Sequence, residues 1–392
     1  MSLRILYHHR IRAEDGQAVH VRELIEALRR RGHEVQECAL VQKTGGTVPA
    51  AAGKASFWQR LSLPRTAVEF LEIAYNRRAR AMLRAAAAKL RPHLVYERHA
   101  LHCRAGLDVA RELSVPLLLE VNSPMADEME KLSLLRLPRR ARATERLVLE
   151  GADRVLAVTE VLGNRLVQLG ARKDSIRVIG NGAQPERYDN AAHAKGAEIR
   201  SHWNLPEGAV VLGFVGYMRP WHRLDLVLRL MQRPQFSRIH LVLLGDGPAL
   251  PGLRTQAEEA GIATRFHALG KVPGASVPAH VCAFDIALIP AINEYASPLK
   301  LFDSLAAGVA TIAPDQPNLR EVVGHGVHAL LFRKDDEESL AENLLRLVDD
   351  TSLRQRAGAA GEFMLRQRNY TWDGNAMRVE GVAAELGIGG SR

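Results

Sequence analysis

RILYHHRIRAEDGQAVHVRELIEALRRRGHEVQ, residues 4–36, decides the fold class. Residues 4–7 read as a short strand. After a polar loop, Val21, Leu24, Ile25 and Leu28 recur at the spacing of one helix face, and Gly32 supplies a helix stop. Residues 34–36 then open another strand. Strand, helix and strand with short connections make the βαβ unit of a parallel sheet covered on both faces. The alternation continues through short apolar runs at 94–97, 117–121, 154–158 and 176–179. It pauses over 190–208, a polar stretch rich in Ala, His and Gly, and resumes at 210–215, 239–244, 265–268, 286–289 and 311–313. The fold class is therefore α/β, with two successive doubly wound domains over 1–190 and 205–370 and a hinge near 185–208. In such sheets ligands bind outside the carboxyl ends of the strands, so two domains facing each other would form a cleft lined by those ends.

Composition narrows the class. The chain has 392 residues, 47% hydrophobic and 25% charged, an ordinary globular balance of a size for two or three domains. Its formal charge of +9 is local. Residues 54–91 carry nine basic groups against Glu69 and Glu72, and residues 131–146 carry six against Glu145, leaving the remainder slightly acidic. Three scattered cysteines, Cys38, Cys103 and Cys282, exclude a disulfide framework and a cysteine zinc site. The N-terminus lacks the apolar core of a signal peptide, and no apolar run is long enough to span a membrane. A cytoplasmic location is the simplest expectation.

The carboxyl ends of the strands hold the candidate chemistry. The first strand leads to His8, His9 and the loop Asp15-Gly16-Gln17. There is no G-x-G-x-x-G, but Gly16 would let a backbone amide approach a phosphate or a sugar. His8, His9, His20, His99 and His102 fall near strand ends. Their spacing matches no metal-ligand signature, so hydrogen-bonded histidines lining a polar site are expected and no metal is. Arg98, His99, Glu120 and Asn122 end two further strands. Arg98 and Glu120 read either as site residues or as a structural ion pair.

In the second half, GFVGYMRPWHR places Gly216, Arg219, His222 and Arg223 around a strand-to-helix turn, where basic groups can neutralise a diphosphate. Gly245 and Gly247 make a second glycine-rich turn after a strand. Then comes NEYASPLKLFD, residues 293–303, in which Ser297 reads as a helix N-cap and Pro298 as the first helical residue. The amides of Leu299 and Lys300 would then point out of a helix N-terminus beside the Lys300 ammonium, an anion site. Asp303 lies within a turn of Lys300, where it can accept from a ribose diol. No D-x-D motif is present to chelate a metal against a diphosphate.

With these residues in view, the chain resembles the retaining, two-Rossmann-domain (GT-B) glycosyltransferases of family 4, as found in bacterial exopolysaccharide and exosortase-associated clusters. The resemblance covers nearly the whole length. It is carried by RRGHEV at 30–35, ADRVLAVTEVL at 152–162, RVIGNGAQPERY at 177–188, LGFVGYMRPWHRLDLVL at 212–228, LLGDGP at 243–248, SPLKLFDSLAAGVATIAP at 297–314 and TWDGNA at 371–376. It implies an acceptor domain first and a donor domain second, with a C-terminal helix over 372–392 packing back on the first. It also implies a nucleotide-sugar donor as substrate and no cofactor.

Carried over by position, Tyr217 stands where the family commonly has Arg, and His222 where it has Lys. Arg219 offers a replacement charge. In the family's E-x7-E motif, Asp303 holds the second acidic place and Tyr295 the first, with Glu294 one residue out of register. The resemblance thus implies Arg98, His222 and Glu294 as catalytic residues. On the donor it implies Gly16, Gly216, Arg219, Arg223, Gly245, Gly247, Ser297, Leu299, Lys300 and Asp303. On the acceptor side it implies His99, Glu120 and Asn122.

Within 54–91, Val68, Leu71, Tyr75, Ala79, Met82, Ala86 and Leu90 step by three or four residues, with Arg77, Arg78, Arg80 and Arg84 off that stripe and Phe57 and Trp58 preceding it. A basic amphipathic helix suits an anionic membrane surface or a lipid-linked acceptor; an ordinary domain helix with solvated arginines is the other reading. A saccharide or lipid-linked acceptor and a peripheral membrane location follow from the first. The alternatives in other classes are a GT-B nucleotide-sugar epimerase, an inactive relative and a nucleic-acid-binding protein. The last lacks a recognition helix or aromatic-studded strands, so nucleic acid is not an expected partner.

Overall fold

The computed structural model describes residues 2–11, 16–40 and 64–388. Asp15, and within the basic stretch Lys54, Phe57, Trp58 and Arg60, lie outside the described residues. The chain falls into two compact units, residues 1–179 with 376–392, and residues 180–375.

The first unit carries β1 (Arg4–His9), β2 (Glu34–Ala39), β3 (Leu94–Arg98), β4 (Leu117–Val121), β5 (Arg154–Ala157) and β6 (Ile176–Val178), all parallel, in the order β2-β1-β3-β4-β5-β6. The second carries β7 (Val210–Val215), β8 (Ile239–Leu244), β9 (Phe266–Gly270), β10 (Ile286–Leu288), β11 (Ala310–Asp315) and β12 (Leu330–Arg333), in the order β12-β11-β10-β7-β8-β9. In each sheet the first strand has neighbours on both sides that are reached in opposite directions. The switch points therefore fall between β1 and β3 and between β7 and β10, which is where ligand sites form in such sheets.

The strand interiors are apolar because helices cover both faces: every residue of β3, β4 and β8 is buried. Helix starts follow side-chain caps. Thr159 accepts the Leu162 amide at 3.1 Å, and Asp336 accepts that of Ser339 at 2.8 Å, each such cap being worth about 1 kcal/mol. Helices 16–30 and 65–90 flank β1 and β2, and the last helix, Trp372–Glu385, begins in the second unit and ends in the first. There Glu380 pairs with Arg31 and His33, and Glu385 with Arg177 and Arg154.

Three local expectations change. The stretch 190–208, where the strand pattern pauses, lies inside the second unit: Asp189 caps a helix, Asn190–Ser201, packed so closely that a Cβ on Gly196 would lie 2.7 Å from the Ala279 carbonyl. Strand β12 is additional to the expected series. The Arg65–Leu90 helix buries Glu69, Tyr75, Ala79, Leu83, Ala87 and Leu90, whereas Leu71 is 60% exposed. Tyr75, Ala79 and Leu90 of the expected stripe are buried, while Glu69, Leu83 and Ala87 are buried in place of Val68, Met82 and Ala86. Glu69 is drawn inward to accept from the amides of Arg136 (2.6 Å) and Leu137 (2.9 Å) and to pair with His102 (3.1 Å).

Candidate functional site

At the carboxyl edge of the first sheet, each of the five histidines meets its own glutamate. His8 Nδ1 lies 2.6 Å from Glu97, His9 Nε2 2.9 Å from Glu37, His20 Nε2 3.0 Å from Glu120, His99 Nε2 3.3 Å from Glu145 and His102 Nε2 3.1 Å from Glu69. A buried carboxylate needs such a partner. Burial alone would raise the Glu97 carboxyl, but His8 and the Gly106 amide outweigh it and hold it below the usual range. His8, Glu97 and Cys103 are the one set among the described residues whose ligand-type atoms lie within 4.8 Å of one another. Both His8 nitrogens are already engaged, by Glu97 and by the Tyr75 hydroxyl at 3.1 Å.

Glu120 is the hub of the switch-point cluster. It sits on the fully buried strand β4 and accepts from Tyr96 Oη at 2.7 Å, Asn122 Nδ2 at 2.6 Å and Arg98 Nη1. Tyr7 Oη lies 3.5 Å away, and the Tyr7 and Tyr96 rings stack at 4.6 Å. Burial opposes its charge, yet His20 and Arg98 overcome that and hold the carboxyl far below the carboxylate range. The structure thus brings Arg98, Glu120 and Asn122 together and adds His20, delivered by the Gly16–Arg30 helix, whose first residue is the exposed Gly16. His99 turns away to Glu145. Arg98 and Glu120 form a buried ion pair, so the structural reading of that pair holds beside any role in a site. His20 was expected only as one of five hydrogen-bonded histidines near strand ends, and the sequence did not single out Glu120 as its partner.

At the second switch point, the turn after β7 meets the Leu299–Ala306 helix. Ser297 is not its cap. Pro298 occupies that place with no side-chain bond, and Leu299 is the first helical residue. Ser297 Oγ instead accepts the Asn181 amide at 3.0 Å, and Asn181 Nδ2 donates to the Ser297 carbonyl. The amides of Leu299 and Lys300 have no acceptor among the described residues. The Lys300 ammonium lies 3.8 Å from the centre of the Phe214 ring, and no carboxylate pairs with it among the described residues. Burial brings it down to about 7. Gly216 beside that ammonium has φ +141°, a backbone conformation that favours glycine, while a Cβ there would make only an ordinary 3.5 Å contact with the ammonium. Asp303 Oδ1 accepts from Tyr188 Oη at 2.7 Å. The segment 181–188 therefore holds this helix at both Ser297 and Asp303, through Asn181 and Tyr188, which residue type alone did not single out.

Other expected donor residues are placed differently. His222 packs against Phe214 at 5.3 Å and accepts the Arg219 amide at 3.2 Å. Burial, with Lys300 and Arg219 adding to it, pushes its pKa down to about 3, so it stands neutral where a cation was expected. Arg223 is taken by Asp225 at 3.2 Å and Asp335 at 3.6 Å. Gly245 and Gly247 serve packing of loop on loop: a Cβ at either would lie 2.2 Å from the carbonyl oxygen of Gly216 or Met218. Their positive φ angles, +129° and +152°, demand glycine as well. Glu294 is exposed and reaches Lys334 at 2.6 Å.

Two Rossmann-like units in one chain, each a six-stranded parallel sheet with polar groups gathered at its switch point, define the GT-B architecture. Residues 15–187 match the family model Glycosyltransferase Family 4, and residues 195–363 match Glycosyl transferases group 1, so the chain is family 4-like and group 1-like in its two halves. It is 29% identical over 214 residues to the 2-deoxystreptamine glucosyltransferase of Streptomyces kanamyceticus, the match spanning 53% of this chain and 54% of that one. It is 30% identical over 250 residues to the D-inositol 3-phosphate glycosyltransferase of Thermomonospora curvata, spanning 60% and 57%. The chain thus spans little more than half the length of these curated relatives. In fold it is similar to sucrose-phosphate synthase of Thermosynechococcus elongatus, with a TM-score of 0.76 at 19% identity over 97% of this chain and 98% of that one. It is also similar to Anabaena Alr3699/HepE in complex with UDP, with a TM-score of 0.72 at 15% identity over 98% and 100%.

Proposed function

We propose that the chain is a glycosyltransferase that moves a sugar from a nucleotide-sugar donor to an acceptor hydroxyl with retention, in the assembly of a polysaccharide or a glycolipid. Lys300 carries the reading: an ammonium with no carboxylate partner among the described residues, at a helix N-terminus with two amides lacking acceptors, on the switch point of the second sheet. As the bond from the sugar's anomeric carbon to the diphosphate breaks, negative charge grows on the departing oxygens. The ammonium, the Leu299 and Lys300 amides and the helix dipole meet that charge without a metal. Asp303, steadied by Tyr188, receives the ribose.

In the first unit Arg98 and Glu120 neutralise each other. The acceptor side there presents hydrogen-bonding groups without net charge, suited to an uncharged hydroxyl. Family matches in both halves, the names of the relatives and the UDP bound to a protein of the same fold support the same reading. No described helix is long and apolar enough to cross a membrane. The exposed Arg77 and Arg78 are assigned to an anionic membrane surface or a lipid-linked acceptor, which makes the protein peripheral on the cytoplasmic face.

The test is a thermal-shift and calorimetric screen of UDP-, GDP- and ADP-sugars against wild type, Lys300→Ala and Asp303→Ala. At least one donor is expected to stabilise wild type, with both variants folded and at least tenfold weaker, the loss of about one charge-assisted contact each. Wild-type affinity in both variants for every donor that binds would remove the donor site. Nuclear magnetic resonance of the product's anomeric configuration tests retention.

A further inference from the structure

A second cation stands beside this site and does a different job. Tyr217, Arg219 and Trp221 alternate along the turn after β7, and all three are exposed, Tyr217 by 44% and Trp221 by 39%. The Arg219 guanidinium lies over both rings, 5.0 Å from the centre of Tyr217 and 4.9 Å from that of Trp221, within cation–π range. Resting on the rings orients the guanidinium without cancelling its charge. Its N–H groups have no acceptor among the described residues, and no carboxylate pairs with it there. Its neighbours behave otherwise: Arg223 pairs with Asp225 and Asp335, Arg229 with Asp225 and Glu337, and Arg233 with Glu337 and Glu338.

The turn itself is pinned. Met218 is fully buried, its amide donates to the Asp246 carbonyl at 2.7 Å and its carbonyl accepts from Ala249 at 3.1 Å. Arg219 is thus presented on a fixed backbone, which lowers the ordering cost of binding an anion. His222 neighbours the aromatic partner of each cation: its ring lies 5.3 Å from Phe214, on which Lys300 rests, and 6.2 Å from Trp221, on which Arg219 rests. The ammonium is thus set against Phe214 and the exposed guanidinium against different rings, Tyr217 and Trp221. A diphosphate held by Lys300 and the helix amides leaves Arg219 unmatched.

We propose that Tyr217, Arg219 and Trp221 form a subsite for an acidic sugar, one whose ring carries a carboxylate or a phosphate. The guanidinium edge offers paired N–H donors to a planar or tetrahedral oxyanion, and the aromatic rings offer apolar faces to the sugar ring. The proposal rests on the glycosyltransferase reading, and it moves Arg219 from the diphosphate to the sugar. The sugar belongs either to the donor or to the acceptor, and the two sources separate experimentally.

In the donor arm, calorimetry compares UDP-glucuronate with UDP-glucose and GDP-mannuronate with GDP-mannose, with UDP and GDP alone as references. In the acceptor arm, a glucuronate-containing oligosaccharide is compared with its neutral counterpart. Wild type is expected to prefer the acidic member of one arm about tenfold, the worth of one charge-assisted contact. Arg219→Gln brings that ratio close to one, Arg219→Lys keeps part of it, and Trp221→Ala weakens acidic and neutral sugars alike. A preference confined to the oligosaccharides assigns the subsite to the acceptor. The proposal is overturned if neither arm shows an acidic preference, or if Arg219→Gln weakens UDP or GDP alone as much as the acidic sugar. Failure of the broader reading shows separately, as absence of nucleoside diphosphate binding, and the oligosaccharide arm then still decides the subsite.

Discussion

Lys300 couples charge, packing and pH at a single residue. With its ammonium brought down to about 7, the group is partly uncharged at neutral pH, and on the proposed reading a diphosphate bound there would restore the proton. Donor affinity is therefore expected to fall as pH rises from 6 to 9, with proton uptake on binding that disappears in Lys300→Met. Calorimetry in buffers of different ionisation enthalpy measures that uptake. The stability effect runs the other way. Between the folded value and the ordinary lysine value the unfolded chain binds more protons, so the Lys300 contribution makes stability rise with pH from about 7 to 10. In Lys300→Met this rise flattens and the neutral-pH unfolding temperature goes up. Glu120 tilts stability with pH in the same direction, but in the acid range. Its lowered carboxyl contributes stability that is present above about pH 4.3 and lost below it. Glu120→Gln leaves Arg98 buried without its counter-charge, at a cost of about 3 kcal/mol or more, read as a lower unfolding temperature of the first unit.

At the scale of elements, strands were legible because buried parallel strands are continuous apolar runs. Strand β12 escaped because LLFR is four residues long and runs straight into the charged stretch KDDEE. Helix faces were harder to assign, since periodicity weighs apolar residues only. On the Arg65–Leu90 helix it could not know that Glu69 would be drawn inside by His102 and two amides. The local geometry of the candidate site was legible where one motif makes it, as with Lys300 at a helix N-terminus, and illegible where distant segments act, as with Asn181 on Ser297 or His20 on Glu120. The same helix sharpens the membrane expectation. Arg80 and Arg84 are already paired with Asp108 and Glu112, whereas Arg77 and Arg78 stay exposed, and Phe70 and Leu71 are exposed by 55% and 60%. Arg77→Ala with Arg78→Ala should weaken sedimentation with phosphatidylglycerol vesicles by about fivefold per arginine, while Arg80→Ala with Arg84→Ala changes it little. Equal losses from both pairs would reduce the effect to net charge.

For the whole molecule, the two units differ in strand order but share one logic, polar groups gathered where the winding of the sheet reverses. They also differ in how they are completed. The second unit, 180–375, is continuous in sequence, while the first takes its last piece from the end of the chain. On that piece Val379, Val382, Ala376 and Ala383 are buried, and the two valines alone remove apolar surface worth roughly 3–6 kcal/mol as an upper estimate. Glu380 and Glu385, by contrast, are 28% and 41% exposed in their ion pairs. Exposed pairs of that kind contribute about 1 kcal/mol or less each. Packing should therefore dominate. Val379→Ala with Val382→Ala is expected to speed amide hydrogen exchange in β1, β2, β5 and β6 while leaving β7–β12 unchanged. Glu380→Gln with Glu385→Gln should produce a smaller effect of the same pattern. If the charge variant proves the more damaging, the helix is held by its four basic partners and the buried face is secondary.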